Sequence, residues 1–350
     1  MPRISPIGSP VALALALACT PEVPEVTWEG EYLHVAQSAS GRVCGGSYAY
    51  QDLFVERLAE LLGVTLDEPI RLTLVEPEEI EAYCFKDGLL GCYNDDKAYS
   101  VIPVHTHELA HAVADRAGWD GPRAFEEGFA EVFGFNSDTD VERLPIRGVI
   151  EDFVVGRDHY YTVALFVRFL VERYGLDRFG DFMLATDNDD EFSLIEVSFK
   201  THFGESIDAA FAAFDAYPTC SAWANQAAIV ECGMEPLPWG PDGIEATVSL
   251  DCDDEGTIGP FGGDSGHMST ARTLEITEVG VYHIAVTSTS STLSWVRLSR
   301  CGSCLEDFDK SIARGNGAII GLSPGLYFAN FFAEVDEPME ITLHLDRLLP

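Results

Sequence analysis

The segment "HTHELAHAVAD" (residues 105–115) brings three histidines and one glutamate into seven positions. On an α-helix, His107 and His111 are one turn apart on the same face, so their imidazoles can converge on a single ion. Glu108 lies beside them, where its carboxylate can reach a water molecule next to the ion rather than the ion itself. This is the HExxH pattern, in which two histidines bind zinc and the glutamate acts as general base.

The residues that follow can supply a third ligand. The turn "GWDGPR" (118–123) ends the first helix, and "AFEEGFAEVFGF" (124–135) predicts a second one. The second helix returns Glu126, Glu127 and Glu131 towards the histidines. Catalytic zinc takes three protein ligands and keeps a fourth position open, and two histidines with one glutamate are a standard set. The uncertain phase of the helix leaves Glu126 as an alternative to Glu127.

Together the two segments resemble the gluzincin metallopeptidases, in both the thermolysin-like and the peptidase-MA-like branches. In those families the third zinc ligand is the glutamate of a downstream segment of the form E-G-x-A-E, which matches "EGFAE" (127–131) here. The resemblance implies zinc ligands His107, His111 and Glu127, with Glu108 as general base. It also implies that Glu131 orients a histidine ligand, a role that fixes the ring direction and the tautomer.

Gluzincins also use a tyrosine or histidine to stabilise the oxyanion of the reaction. The segment "HYYTVALFVRFLVERYG" (159–175) is similar to the helix that follows the zinc site in peptidase-MA-like proteins. The resemblance implies Tyr160 for this role, with Tyr161 and His159 as alternatives. A phenol O–H would stabilise the negative charge that develops on the substrate carbonyl. The competing interpretation is an aromatic pair that only packs at the start of a helix.

Other polar residues near the motif are interpreted as non-catalytic. His105 lies two residues before His107, and on a helix it would point to another face. Asp115 continues the stripe of histidines, but we expect a solvated charge there. The acidic runs "DNDDE" (187–191) and "DCDDEG" (251–256) lack the spacing of a calcium loop, so we expect ordinary surface loops.

The distribution of apolar residues predicts two domains and an α+β fold. Two strands and a helix from Tyr50 to Leu62 come first, and mostly helical patterns continue to about residue 217. Proline and glycine then mark a boundary, after which short β-rich runs recur at sandwich spacing. We predict a mainly helical zincin-type domain with a small N-terminal sheet (27–235), a linker (236–245) and an all-β, jelly-roll-like sandwich (246–350). In the sandwich, "LSPGLYFANFFA" resembles bacterial prepeptidase C-terminal domains.

The N-terminus and the cysteines indicate export. Residues 1–19 read as a signal peptide that ends in a lipobox-like "ALAC", and residues 20–26 as a tether. We therefore expect an exported protein, either a cell-envelope lipoprotein anchored at Cys19 (outer membrane or periplasm) or a secreted one. The eight remaining cysteines predict up to four disulfides, with Cys84–Cys92 and Cys220–Cys232 the candidate pairs by proximity. For "CGSC" (301–304) we expect structural bridging rather than redox chemistry.

The net charge of −37 disfavours nucleic acid and anionic lipid as direct partners. We expect a monomer whose partner is a peptide or protein substrate, and which meets the membrane only through a lipid at Cys19. The leading hypothesis is an exported zinc peptidase in which Glu108 assists the attack of zinc-bound water on a peptide bond. One alternative is an inactive zinc-binding adhesion module on the cell surface. A second is an iron(II) site, which also uses two histidines and one carboxylate.

Overall fold

The computed structural model describes residues 24–86, 88–134, 141–240, 243–261, 266–302, 304 and 308–349. The predicted signal peptide, Cys19 and the start of the tether lie outside these residues. In the described part of the chain, no helix has both the length and the apolar character needed to cross a membrane.

A five-stranded mixed sheet opens the fold. Its strands are β1 (Val26–Glu29), β2 (Leu33–Gln37), β3 (Ile70–Leu74), β4 (Gly91–Asn94) and β5 (Lys97–Ser100). They are ordered β1-β2-β3-β5-β4, and β2, β3 and β5 run parallel while the two edge strands run antiparallel to their neighbours. The two strands predicted from sequence are β2 and β3. The edge strand β4 and its neighbour β5 lead directly into the helix that carries the histidines.

Among the described residues, two helices connect strands of this sheet and eight more follow it. In chain order they are α1 (Ser47–Leu62), α2 (Ile80–Cys84), α3 (Thr106–Arg116), α4 (Arg123–Phe133), α5 (Ile146–Glu151), α6 (Arg157–Tyr174), α7 (Leu176–Leu184), α8 (Phe192–Phe203), α9 (Ile207–Asp215) and α10 (Ala222–Asn225). Gly63 ends α1 in the left-handed conformation (φ 64°), and the Ser206 hydroxyl caps α9 by accepting from the Ala209 amide.

Two glycines allow α4 to approach its neighbours closely. A Cβ at Gly134 would lie 2.5 Å from the carbonyl oxygen of Thr106, at the start of α3. A Cβ at Gly128 would lie 2.7 Å from the carbonyl oxygen of Val163 in α6. Because such contacts exclude any larger residue, these glycines fix α4 against α3 on one side and α6 on the other. The predicted antiparallel return of the second helix towards the histidines follows from this packing.

The C-terminal part is a sandwich of two antiparallel sheets. Its strands are β6 (Ile244–Leu250), β7 (Ile258–Phe261), β8 (His267–Ile276), β9 (Gly280–Ser288), β10 (Ser294–Arg300), β11 (Asp309–Ala313), β12 (Gly317–Leu322), β13 (Gly325–Glu334) and β14 (Met339–Leu349). The sheet orders are β11-β10-β13-β8-β7 and β12-β9-β14-β6, which place the first and last strands of this part, β6 and β14, side by side. Burial along β6 alternates at every residue, the pattern of a strand with one face on a core. The α+β class with a β-sandwich is confirmed, and β7 and β11 are strands that the sequence did not reveal.

Four disulfides involve all eight cysteines outside the N-terminal segment, and their number favours an extracellular or periplasmic protein. Cys84–Cys92 is confirmed. The Cys220–Cys232 prediction is wrong, because each of these cysteines pairs instead with one end of the "CGSC" segment: Cys220 with Cys304 and Cys232 with Cys301. Both bridges, together with Cys44–Cys252, connect the helical part to the sandwich. The structural role expected for "CGSC" is confirmed.

Candidate metal centre

Three side chains from α3 and α4 converge in the structure: His107, His111 and Glu127. The Nε2 atoms of the two histidines are 3.3 Å apart, and each lies 3.3 Å from Oε2 of Glu127. The ligand atoms therefore form an equilateral triangle. Two imidazole nitrogens and a carboxylate oxygen at this spacing repel one another unless a proton or a cation lies between them.

The size of the triangle fits a zinc ion. Zinc binds imidazole nitrogen and carboxylate oxygen at about 2.0–2.1 Å in tetrahedral geometry, which sets ligand atoms about 3.3 Å apart. The three side chains also differ in exposure, from 3% for His107 to 12% for Glu127 and 19% for His111. Solvent thus reaches the triangle from the side of His111 and Glu127. The group can hold a metal while leaving one coordination position open, as catalytic zinc requires.

A second carboxylate supports His107 from behind. Oε2 of Glu131 lies 3.3 Å from Nδ1 of His107, within ion-pair distance although without hydrogen-bond alignment. Burial opposes the charged form of His107, but the contacts with Glu127 and Glu131 raise its pKa to about 10. The metal-free site therefore holds a proton where a cation would otherwise sit. Such a carboxylate behind a ligating imidazole orients the ring and strengthens its basicity.

Glu108 lies beside the triangle rather than within it. Its side chain is only 9% exposed, and burial raises its pKa above the ordinary range. The interactions with His107 and His111 lower this pKa, as does the hydrogen bond from the main-chain N–H of Tyr93 in β4. A buried carboxylate with a raised pKa, next to a metal-binding group, is suited to taking up a proton.

The triangle lies in a cleft of about 830 Å³. Strand β4 borders the cleft through Gly91, Cys92 and Tyr93, and Tyr160 at the start of α6 lies opposite, its ring centroid 5.9 Å from that of His107. Burial raises the pKa of Tyr160, and the nearby Glu127 and Glu108 raise it further, so the phenol keeps its hydrogen. A protonated phenol at this place can donate a hydrogen bond into the cleft.

The two alternatives to Tyr160 lie elsewhere. The Tyr161 hydroxyl donates to the carbonyl oxygen of Cys220 at 2.7 Å, and the tyrosine is buried in the helical core. The His159 ring contacts Phe153, with ring centroids 6.1 Å apart, and is not part of the cleft wall. Tyr160 is therefore the member of the trio that the fold places at the site.

The other polar residues near the motif fall into three groups. Glu126 borders the cleft but is not part of the triangle, and mainly burial raises its pKa to about 7. Asp115 is exposed and accepts a 2.8 Å hydrogen bond from the Tyr93 hydroxyl, which agrees with the expected solvated charge. The acidic runs 187–191 and 251–256 bond to their own backbone in turns, and neither forms a metal-binding group among the described residues.

Sequence reasoning missed two residues at the site. Arg123 starts α4 and places Nε 3.7 Å from the second carboxylate oxygen of Glu127, one turn away, a spacing that i,i+4 periodicity would have revealed. His105 was expected to point away from the site as part of a helix, and this is wrong. It precedes α3 as the N-cap residue, with a non-helical backbone (φ −138°, ψ 72°), and its buried ring lies beside Glu108.

The comparisons with known proteins are sparse. No protein-family profile matches the chain, and no curated protein does. Among solved structures, the pre-peptidase C-terminal domain of a collagenase from Bacillus anthracis is 16% identical over 29% of this chain and 88% of that one, with a TM-score of 0.22. A mitogen derived from Yersinia pseudotuberculosis is 15% identical over 30% and 86%, with a TM-score of 0.21. At such TM-scores neither likeness supports a conclusion about this chain's activity.

Proposed function

We propose that the protein is an exported zinc-dependent peptidase of the gluzincin type. The observation that carries the proposal is the 3.3 Å triangle of His107, His111 and Glu127, open to a cleft and flanked by the buried carboxylate of Glu108. Zincin-type architecture is part of the same proposal, with residues 27–235 as the catalytic domain and 246–350 as an accessory sandwich joined by a linker at 236–245.

In this proposal each side chain has a distinct task. His107, His111 and Glu127 would hold zinc, which supplies the Lewis acidity that polarises a carbonyl and acidifies a water molecule. Glu108 takes the proton of the attacking water and passes it to the leaving amine. Tyr160 donates its phenol hydrogen to the developing oxyanion. Glu131 holds the ring of His107 in the tautomer that leaves Nε2 free.

The cleft favours an extended peptide as substrate. Among the described residues, the edge strand β4 has no neighbouring strand on its outer side, where a peptide can add as a further strand. Among the described residues that border the cleft, there are six carboxylates and three lysine or arginine side chains. With a chain charge of −37, we expect basic peptides to bind better than acidic ones.

The experiment compares the parent with Glu108→Gln on an unstructured protein substrate such as reduced casein. The variant keeps every proposed ligand, so we expect one zinc per chain in both proteins. We expect the parent to cleave the substrate and the kcat of the variant to be lower by about 100-fold or more. Glu126→Gln is the matched control, because it alters a carboxylate of the same cleft outside the triangle. A zinc-loaded parent that cleaves no member of a broad peptide library would instead favour the inactive binding module.

Two further parts of the proposal concern the mature chain. We infer a lipid anchor at Cys19. Mass spectrometry of the intact exported protein tests this, and a mature chain that starts at another residue without a lipid would exclude it. We also infer a monomer that binds peptide substrates and no nucleic acid. Sedimentation of the parent at micromolar concentration checks the monomer directly.

A further inference from the structure

His105 occupies a position that the proposed reaction does not yet use. Its side chain is 1% exposed and lies at the junction of the sheet and α3, between β5 and the first turn of that helix. It is not part of the His107–His111–Glu127 triangle. A fully buried histidine next to a catalytic site must be explained by the contacts that hold it there.

Two polar residues fix His105 from one side. Its main-chain N–H donates to Oε1 of Gln51 at 3.0 Å, and the buried Gln51 amide in turn donates to the carbonyl oxygen of Pro103 at 3.0 Å. Its Nδ1 lies 2.9 Å from the hydroxyl of Ser100, the last residue of β5. That hydroxyl already donates to the Ile102 carbonyl at 2.8 Å, so it accepts from His105, and Nδ1 carries the hydrogen.

The first residue of the edge strand β4 contacts the ring of His105. A Cβ at Gly91, the first residue of β4, would lie 2.5 Å from Cε1 and 2.6 Å from Nδ1 of His105. It would also lie 2.5 Å from the carbonyl oxygen of Tyr99, so no side chain larger than hydrogen fits there. The ring orientation is therefore set by the sheet edge and by Ser100, while Gln51 holds the main chain of His105.

This orientation directs the remaining ring nitrogen at the proposed base. Nε2 of His105 lies 3.7 Å from Oε1 of Glu108, so the fixed ring lies directly beside this carboxylate. We propose that His105 is a positioning residue, which holds the carboxylate of Glu108 towards the open side of the metal-binding triangle. The inference rests on the proposed function, since it assigns His105 a task through Glu108 and no contact with the substrate.

A double-mutant cycle in metal-free protein tests the contact without any activity. Thermal unfolding is measured for the parent, His105→Phe, Glu108→Ala and the double variant. We expect the double variant to unfold about 2 °C or more above the temperature that the sum of the two single shifts would give. The reason is that the second substitution removes a side chain whose partner is already gone. The control cycle pairs His105→Phe with Glu126→Ala and is additive. Additive midpoints in both cycles would overturn the contact.

Kinetics separates positioning from packing. In zinc-loaded protein we expect His105→Phe to lower kcat about 10- to 100-fold, with KM and zinc content within about twofold of the parent. His105→Gln keeps an N–H near Glu108 and restores part of kcat. An unchanged kcat in His105→Phe, or no rescue by glutamine, would overturn the positioning role. An inactive parent would overturn the proposed function and this role with it, whereas additive midpoints beside an active parent would overturn this role alone.

Discussion

The disulfide that joins the two parts of the molecule over the longest stretch of chain should also contribute most to stability. Cys44–Cys252 closes 208 residues, and the chain-entropy relation gives about 5 kcal/mol for a ring of this size. Cys220–Cys304 closes 84 residues, but the intact Cys232–Cys301 bridge shortens its path. With that bridge in place the unfolded chain forms a ring of only about 15 residues, which corresponds to about 3 kcal/mol.

The assay is equilibrium unfolding in urea under non-reducing conditions, with each bridge removed by a pair of alanines. The four cysteines of Cys44–Cys252 and Cys220–Cys304 are between 1% and 3% exposed, so the two double substitutions lose similar amounts of packing. We expect Cys44→Ala/Cys252→Ala to lose about 2 kcal/mol more than Cys220→Ala/Cys304→Ala. Cys84→Ala/Cys92→Ala, which opens a ring of 8 residues, should lose least, about 2 kcal/mol. Equal losses for the two long-range variants, or the reverse order, would refute the reasoning.

Three other predictions concern the metal centre. Glu131→Gln should weaken zinc binding about 10- to 100-fold, because the carboxylate 3.3 Å behind His107 is lost, and competition with a chromogenic chelator measures this. The raised pKa of His107, about 10, makes the metal-free protein bind a proton more tightly when folded; this stability is complete below about pH 6.5 and is lost as pH rises towards 10. Zinc binding at pH 8 should therefore release about one proton. The heat of zinc binding, measured by calorimetry in two buffers with different ionisation enthalpies, should then differ between the buffers, and equal heats would contradict the prediction. Tyr160→Phe should lower kcat about 10- to 1,000-fold at unchanged zinc content and KM, and equal kcat values for parent and variant would exclude the phenol from the reaction.

The parts of the site that lie on regular helices could be predicted from the sequence. His107 and His111 are separated by one turn of α3, and Glu127 lies on a second helix whose return is enforced by the turn at 118–123. Helical periodicity relates the two histidines, and the resemblance to the E-G-x-A-E segment favoured Glu127 over Glu126. The structure brings these three residues together. The separation of a helical segment from a β-rich one followed in the same way from periodicity.

The remaining features depend on contacts between distant segments. His105 was assigned to a helix face, but it precedes α3 as its N-cap residue, with backbone angles outside the helical region. The Cys220–Cys232 prediction used closeness in sequence, whereas both cysteines lie at the junction with the sandwich and face residues 301–304. Strand β4 is four residues long and starts with a glycine that the close approach of the His105 ring and of the Tyr99 carbonyl oxygen explains. No local pattern encodes such tertiary contacts.

X-ray absorption at the zinc edge tests the central claim most directly, since it reports which atoms surround the ion in the zinc-loaded protein. The account predicts one zinc per chain with nitrogen and oxygen ligands at about 2.0–2.1 Å, two of them imidazoles, and loss of this signal in His111→Ala. A shell of sulfur at about 2.3 Å, or zinc retained without change in His111→Ala, would contradict it.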